Sequence, residues 1–232
     1  MLKSSKSRQI VLSASILSIL LFSIFLLMDS GWAKEKIKGK VIKIRDGKLE
    51  RFVNNKWRGI KKNSAVFFGD RLKTDKKALA VVQLPKIGRL VVGPDTEMEL
   101  GKDSKDFKGN LTRGAIWLTS KLPKDSRVSI TTSLATAGIR GTAFTACYDG
   151  KNFCACTCLG EVEVTLGSGQ TIKVPKGEYI SFASDSPAPQ KSQSALPLIE
   201  KGASAFDFCF NCHIPGGKGK LKQDLGQYIP LQ

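Results

Sequence analysis

Six cysteines and one histidine are the residues of this chain best suited to chemistry, and their spacing sorts them into two groups. One is ACYDGKNFCACTCLG, with Cys147, Cys154, Cys156 and Cys158; the other is Cys209-Phe210-Asn211-Cys212-His213. C-x-x-C-H is the sequence to which c-type haem is attached, two thiols forming thioethers to the vinyl groups while the adjacent imidazole reaches the iron. Cys209, Cys212 and His213 are therefore candidate cofactor-binding residues, with His213 the candidate ligand to haem iron. Only 19 residues follow His213, none of them Met or His, so no complete cytochrome domain is expected there. A sixth ligand would come from elsewhere, Met98 or a lysine, or the iron would be five-coordinate. The alternatives are a short-loop disulfide between Cys209 and Cys212, or a pair of free thiols with no cofactor.

The first group reads as a hairpin folded at Asp149-Gly150. Alternation along a strand sets Cys154, Cys156 and Cys158 on one face, and the same parity runs past Gly160 to Val162, Val164 and Leu166. With no bulge at Gly160, the three cysteines point into the core, where Cys packs as a small hydrophobe. If the loop is residues 150–151, Cys147 stands opposite Cys154, and that pair is the disulfide candidate, given a Cα separation of about 4.4–6.8 Å. An odd-length loop would send Cys147 to the other face. A zinc or cluster site is a third reading, weakened because residues two apart on a strand do not form the usual C-x-x-C chelate and no His is near. No catalytic residue is assigned, because the sole His belongs to C-x-x-C-H. Asp70, Asp75, Asp95 and Glu97 read as turn residues, not as an acidic site.

The elements that must position these groups are strands. Glycine is frequent, with 22 residues, and β-branched residues recur in short runs with no sustained 3.6 period, so the fold class is all-β. Lys34 to Lys62 is strongly basic, twelve Lys or Arg against three acids, but the interleaved Val41, Ile44, Leu49, Phe52, Val53 and Trp57 make it a structured pair of strands. Asp46-Gly47 and Asn54-Asn55 read as hairpin turns. Strands are expected over Ala78–Leu84, through GRLVV, after the Pro94-Asp95 turn, over Leu111–Ser120 with Trp117 in the core, and over Val128–Thr132. Gly101 to Asn110 reads as a loop.

Ile130 to Phe144, ITTSLATAGIRGTAF, carries Gly138, Arg140, Gly141 and Thr142, and the CACTC strand and G-E-V-E-V follow. That ordered set resembles the FecR domain, an exported regulatory and binding module, and the resemblance extends less specifically from about Ile37 to Phe182. It implies an antiparallel, roll-like β-sandwich over residues 36–183 and a non-enzymatic module that binds a ligand, wall or protein. Family members with cytoplasmic segments regulate sigma factors. Here only nine residues precede Ile10, so direct sigma-factor control is not expected.

Lys3, Lys6 and Arg8 precede an apolar run from Ile10 to Met28, followed by Gly31-Trp32-Ala33. The pattern fits a signal peptide, 1–33, cleaved after Ala33, with an uncleaved signal-anchor helix as the alternative. Either places the rest in the periplasm or on the outer side of the inner membrane, membrane-associated only if the signal is retained. A Ser/Pro/Ala/Gln-rich linker, 184–197, leads to a mostly irregular tail, 198–232, with a short helical stretch at Leu198–Ala205. The net charge of +17 suits an acidic envelope protein, an anionic wall or lipid polymer, or an acidic redox partner, whereas export makes nucleic acid a poor partner. Lysine-decorated solvent faces and edges are the plainer account of the same charge.

Overall fold

The computed structural model describes residues 38–192, except 121, 124, 140–142, 177 and 185. The leader 1–33, Arg140 to Thr142, the tail, and Cys209, Cys212 and His213 lie outside the described residues. The described chain is all-β, as composition and period indicated.

The basic end forms β1 (Lys38–Arg45), β2 (Leu49–Val53) and β3 (Lys56–Ile60). β4 (Ala65–Phe67), β5 (Arg71–Thr74), β6 (Leu79–Leu84), β7 (Gly88–Val92) and β8 (Glu97–Glu99) are short. β9 (Asp106–Ser120) is 15 residues long. It is followed by β10 (Arg127–Thr131), β11 (Ala135–Ile139), β12 (Ala143–Tyr148) and β13 (Asn152–Leu159). β14 (Glu161–Leu166), β15 (Thr171–Pro175), β16 (Tyr179–Ala183) and β17 (Ser186–Ser192) complete the described order.

Pairing sorts these strands into two sheets. Sheet I runs β4-β1-β6-β7-β9-β12-β13-β16-β17. Sheet II runs β3-β2-β5-β8-β9-β10-β11-β14-β15. Every pairing is antiparallel except β9 with β10. The chain steps between the sheets hairpin by hairpin, which gives the rolled sandwich.

β9 belongs to both sheets. Its first half pairs with β8 and β10, and its second half with β7 and β12. The switch falls at Gly114, whose φ of +96° is open to glycine, and a Cβ there would collide with Thr96. Thr96 secures the corner, its Oγ1 accepting from the Ala115 amide at 2.9 Å.

One hydrophobic core lies between the sheets. Sheet I contributes Val82, Leu90, Leu118, Phe144, Phe153 and Ile180; sheet II contributes Leu49, Leu72, Phe107, Ile130, Val162 and Val164. Phe68 meets Phe107 edge-on at 5.8 Å, and Phe153 lies 5.2 Å from Phe182.

Several expectations shift. Asn54-Asn55 does turn a hairpin, β2 with β3, both residues at positive φ. Asp46-Gly47 turns the chain without making a hairpin, because β1 lies in sheet I and β2 pairs with β3 and β5 in sheet II. Residues 106–110, expected as loop, are the start of β9, held by the parallel pairing to β10 that polar spacing does not reveal. β17 lies inside the stretch composition assigns to a linker, as an edge strand paired with β16, where prolines are tolerated.

Candidate binding groove on the second sheet

The FecR-like stretch supplies β10 and β11, and their partners β9 and β14 complete a groove on the outer face of sheet II. One row of residues crosses it: Lys108, Ser129, Gly138, Glu163 and Lys173, each opposite the next. The neighbouring row has Asp106 beside Arg127 and, two strands on, Glu161. The two central positions of the first row, Ser129 and Gly138, have little or no side chain, and the charged residues on either side stand above them. The cavity is about 590 Å³, within the usual size of ligand sites.

Gly138 decides what the groove is for. Its φ is not positive, and among the described residues an added Cβ would meet only the Glu163 carbonyl oxygen, at an ordinary 3.8 Å. Neither backbone conformation nor packing needs glycine there, whereas an open floor does.

The walls are of mixed sign. Asp106 pairs with Lys108 at 2.6 Å, and Glu161 with Lys173 at 3.1 Å. The hydrogen bond and charge of Glu161, with Glu163 nearby, raise the Lys173 ammonium above its ordinary pKa. Among the described residues Arg127 and Glu163 are in none of the ion pairs within 4 Å, and Glu163 acts on Lys173 through its charge, so a cation and a carboxylate flank the small floor. The arrangement suits a polar ligand or extended segment carrying both charges.

The acidic residues set aside in the sequence are structural. Asp75 accepts from the amides of Lys48 (2.9 Å), Lys77 (3.2 Å) and Ala78 (2.9 Å). Asp70 accepts from the Phe67 amide at 2.7 Å and pairs with Arg51 at 3.4 Å. Asp95, at φ +45°, meets Arg113 at 3.3 Å. Glu97 sits in β8, not a turn, and pairs with Arg71 at 2.7 Å. Part of the basic end is likewise paired off: Arg71 also lies over Phe52 and Trp57, at 4.7 and 5.4 Å, and Lys73 over Trp57 at 4.5 Å while bonded to Glu50.

The cysteine hairpin forms in the expected register. Its turn is held by Asp149, which accepts from the Lys151 and Asn152 amides at 2.9 and 2.6 Å, and Cys147 stands opposite Cys154. Cys147, Cys154, Cys156 and Cys158 are all buried, as thiols and not as disulfides. The hydrogen bond of the Cys147 thiol to Cys154, then burial, pushes the Cys147 thiol well above its ordinary pKa.

The facing of the cysteines needs correction. On β13 the shared core takes Phe153 and Ala155, so Cys154 and Cys156 point away from it. Parity does not carry past Gly160, because its φ of +77° sends the chain from sheet I to sheet II. Cys158 is the extra residue of a bulge between Phe144↔Thr157 and Ala143↔Leu159. Trp117 is buried too, but on that same outer face. Among the described residues no three His, Cys, Asp or Glu side chains are grouped to hold a metal ion.

A search of curated proteins found no match. Solved structures that match include two crystal structures, at 2.50 and 1.65 Å, of a proposed anti-sigma factor from Parabacteroides distasonis ATCC 8503. Each is 15% identical with a TM-score of 0.48, and the match covers 52% of this chain and 58% of that one. The family model described as FecR protein matches residues 70–168, a stretch that contains β5 through β14 and so the groove strands β9, β10, β11 and β14, while Lys173 in β15 lies beyond it.

Proposed function

We propose that the β domain is a non-enzymatic regulatory module of the cell envelope that binds a partner through the groove of sheet II. The observation that supports it is the coincidence of the FecR match with the groove, and the open floor at Gly138 within the FecR-like stretch. The sole histidine of the chain is His213 of C-x-x-C-H, so residues 38–192 by themselves supply no Ser/His/Asp or Cys/His set. The apolar leader supports placement outside the cytoplasm, in the periplasm or anchored to the inner membrane.

The test replaces Gly138 with Trp at the native locus and compares transcript profiles with the wild type and a deletion. The reading expects G138W to reproduce the deletion profile at unchanged protein level and melting temperature. A deletion that shifts no transcripts would end the regulatory reading; a G138W profile matching wild type would remove the groove from it.

The C-x-x-C-H sequence favours a second reading, a c-type haem electron-transfer or sensing protein with the β domain as docking scaffold. Cys209 and Cys212 would hold the haem as thioethers and His213 would ligate its iron, supplying one-electron or ligand-sensing chemistry. Expression with the cytochrome c maturation machinery should then give a Soret band and a one-haem mass gain, both lost in Cys212→Ala. An intact mass with no haem, two hydrogens below the reduced tail, would mark Cys209 and Cys212 as a disulfide.

A further inference from the structure

The outer faces of the two sheets differ in kind. Sheet II presents Lys108, Arg127, Glu161 and Glu163 to solvent, the ordinary polar outside of an antiparallel sandwich. Sheet I does not. A row on its outer face runs Val81, Val91, Trp117, Thr145, Cys156, Tyr179, each opposite the next across six strands. None of the six is more than 8% exposed, and none belongs to the core between the sheets. The seventeen described strands stack only on the inner side of sheet I, so this second apolar face needs a third layer from outside them.

We infer that the C-terminal segment around Phe206–Ile214 is that layer, docking across the outer face of sheet I. The register fixes where the chain leaves: Ser192, the last residue of β17, stands directly opposite Tyr179, one end of the buried row. Forty residues follow Ser192. The row spans five strand spacings, about 24 Å, which about eight extended residues can cross. Thirteen residues lie between Ser192 and Phe206, so the segment reaches without strain. Its sequence fits the task, because Phe206, Phe208 and Phe210 alternate with Asp207 and Cys209, the spacing that lays every second side chain on one face. The N-terminal apolar run is less suited, lacking a period-two alternation and having a length that serves export. Docking would also bring Cys209 and Cys212 to the face that holds Cys147, Cys154 and Cys156, gathering cysteines from both groups on one side of the domain.

A photo-crosslinking amino acid at position 208 of the full chain tests this directly. Intramolecular crosslinks to peptides holding Val91, Trp117 or Tyr179 are expected. Crosslinks that miss these peptides overturn the proposal, and so do crosslinks formed only between molecules, which would make the face an interface between copies. A second measurement follows maleimide labelling of Cys156 in a Cys209→Ser, Cys212→Ser background. Adding F206D, F208D and F210D should speed labelling about tenfold or more while circular dichroism stays unchanged. Unchanged labelling would overturn the docking. If the triple variant fails to fold, the crosslink at 208 still decides.

Discussion

At the scale of single residues, two glycines with opposite reasons for being glycine give the sharpest contrast. Gly114 carries the switch of β9 between sheets at φ +96°, with Thr96 where a Cβ would stand. Gly114→Ala should cost about 2 kcal/mol or more in urea unfolding, from strained backbone and collision together. Gly138 is constrained by neither, so Gly138→Ala should be neutral or stabilising by up to about 1 kcal/mol, as expected for glycine replaced within a strand. Equal losses at both sites would mean that Gly138 is a packing glycine and not a groove floor. The thiols give a second prediction at this scale. Cys147 and Cys154 are directly opposed, but a buried thiol with a raised pKa is a poor nucleophile in the folded protein. Oxidation is therefore expected during refolding. Two protein thiols and one glutathione disulfide give the Cys147–Cys154 disulfide and two glutathione thiols, and a tryptic map should recover the linked pair. Recovery of both cysteines in alkylated form would refute it.

At the scale of elements, turns carry much of the specificity, and Asp75 is the busiest of their residues. Burial opposes ionisation of its carboxyl, but the Lys48, Lys77 and Ala78 amides and the Lys48 charge outweigh that and hold its pKa below the ordinary 3.8. A lowered carboxyl stabilises the fold above the unfolded value, and the contribution disappears as pH falls through the folded value. Asp75→Ala should therefore lose about 1–2 kcal/mol at neutral pH, kept small by solvent exposure, and the loss should fade below pH 3.8. A penalty that persists undiminished into strong acid would mean that the carboxylate is not the cause. This turn also shows what was legible in the sequence. Asp46-Gly47, Asn54-Asn55 and Asp149-Gly150 were all readable as turns, because local backbone chemistry sets them. Whether a turn closes a hairpin or throws the chain into the other sheet depends on pairing far along the chain, and Asp46-Gly47 does the latter. Period-two alternation likewise told that Cys154 and Cys156 share a face, but not which face, since it breaks at the Cys158 bulge and Gly160 moves the chain between sheets. The groove was legible only as the glycine of A-G-I-R-G-T; its charged walls come from strands that sequence spacing does not place beside it.

For the whole molecule, the long strand matters most. β9 is at once the fifth strand of sheet I and the fifth of sheet II, and it sends Phe107 and Leu111, then Ile116 and Leu118, into one core. A sandwich joined only through side-chain packing could lose one sheet before the other. A sandwich that shares a strand is tied by backbone hydrogen bonds on both sides of Gly114, so losing either sheet strips the pairing from half of the strand that the other sheet keeps. The β domain is therefore expected to unfold in one cooperative step despite its two sheets. Trp57, in β3 of sheet II, reports one side by fluorescence in a Trp32→Phe, Trp117→Phe background, and hydrogen exchange of the β13 amides across the same urea series reports the other. The two urea midpoints should coincide, and Gly114→Ala should lower both by the same amount. Separated midpoints, or a Gly114→Ala shift confined to one probe, would mean that the sheets unfold independently and that the corner at Gly114 does not couple them.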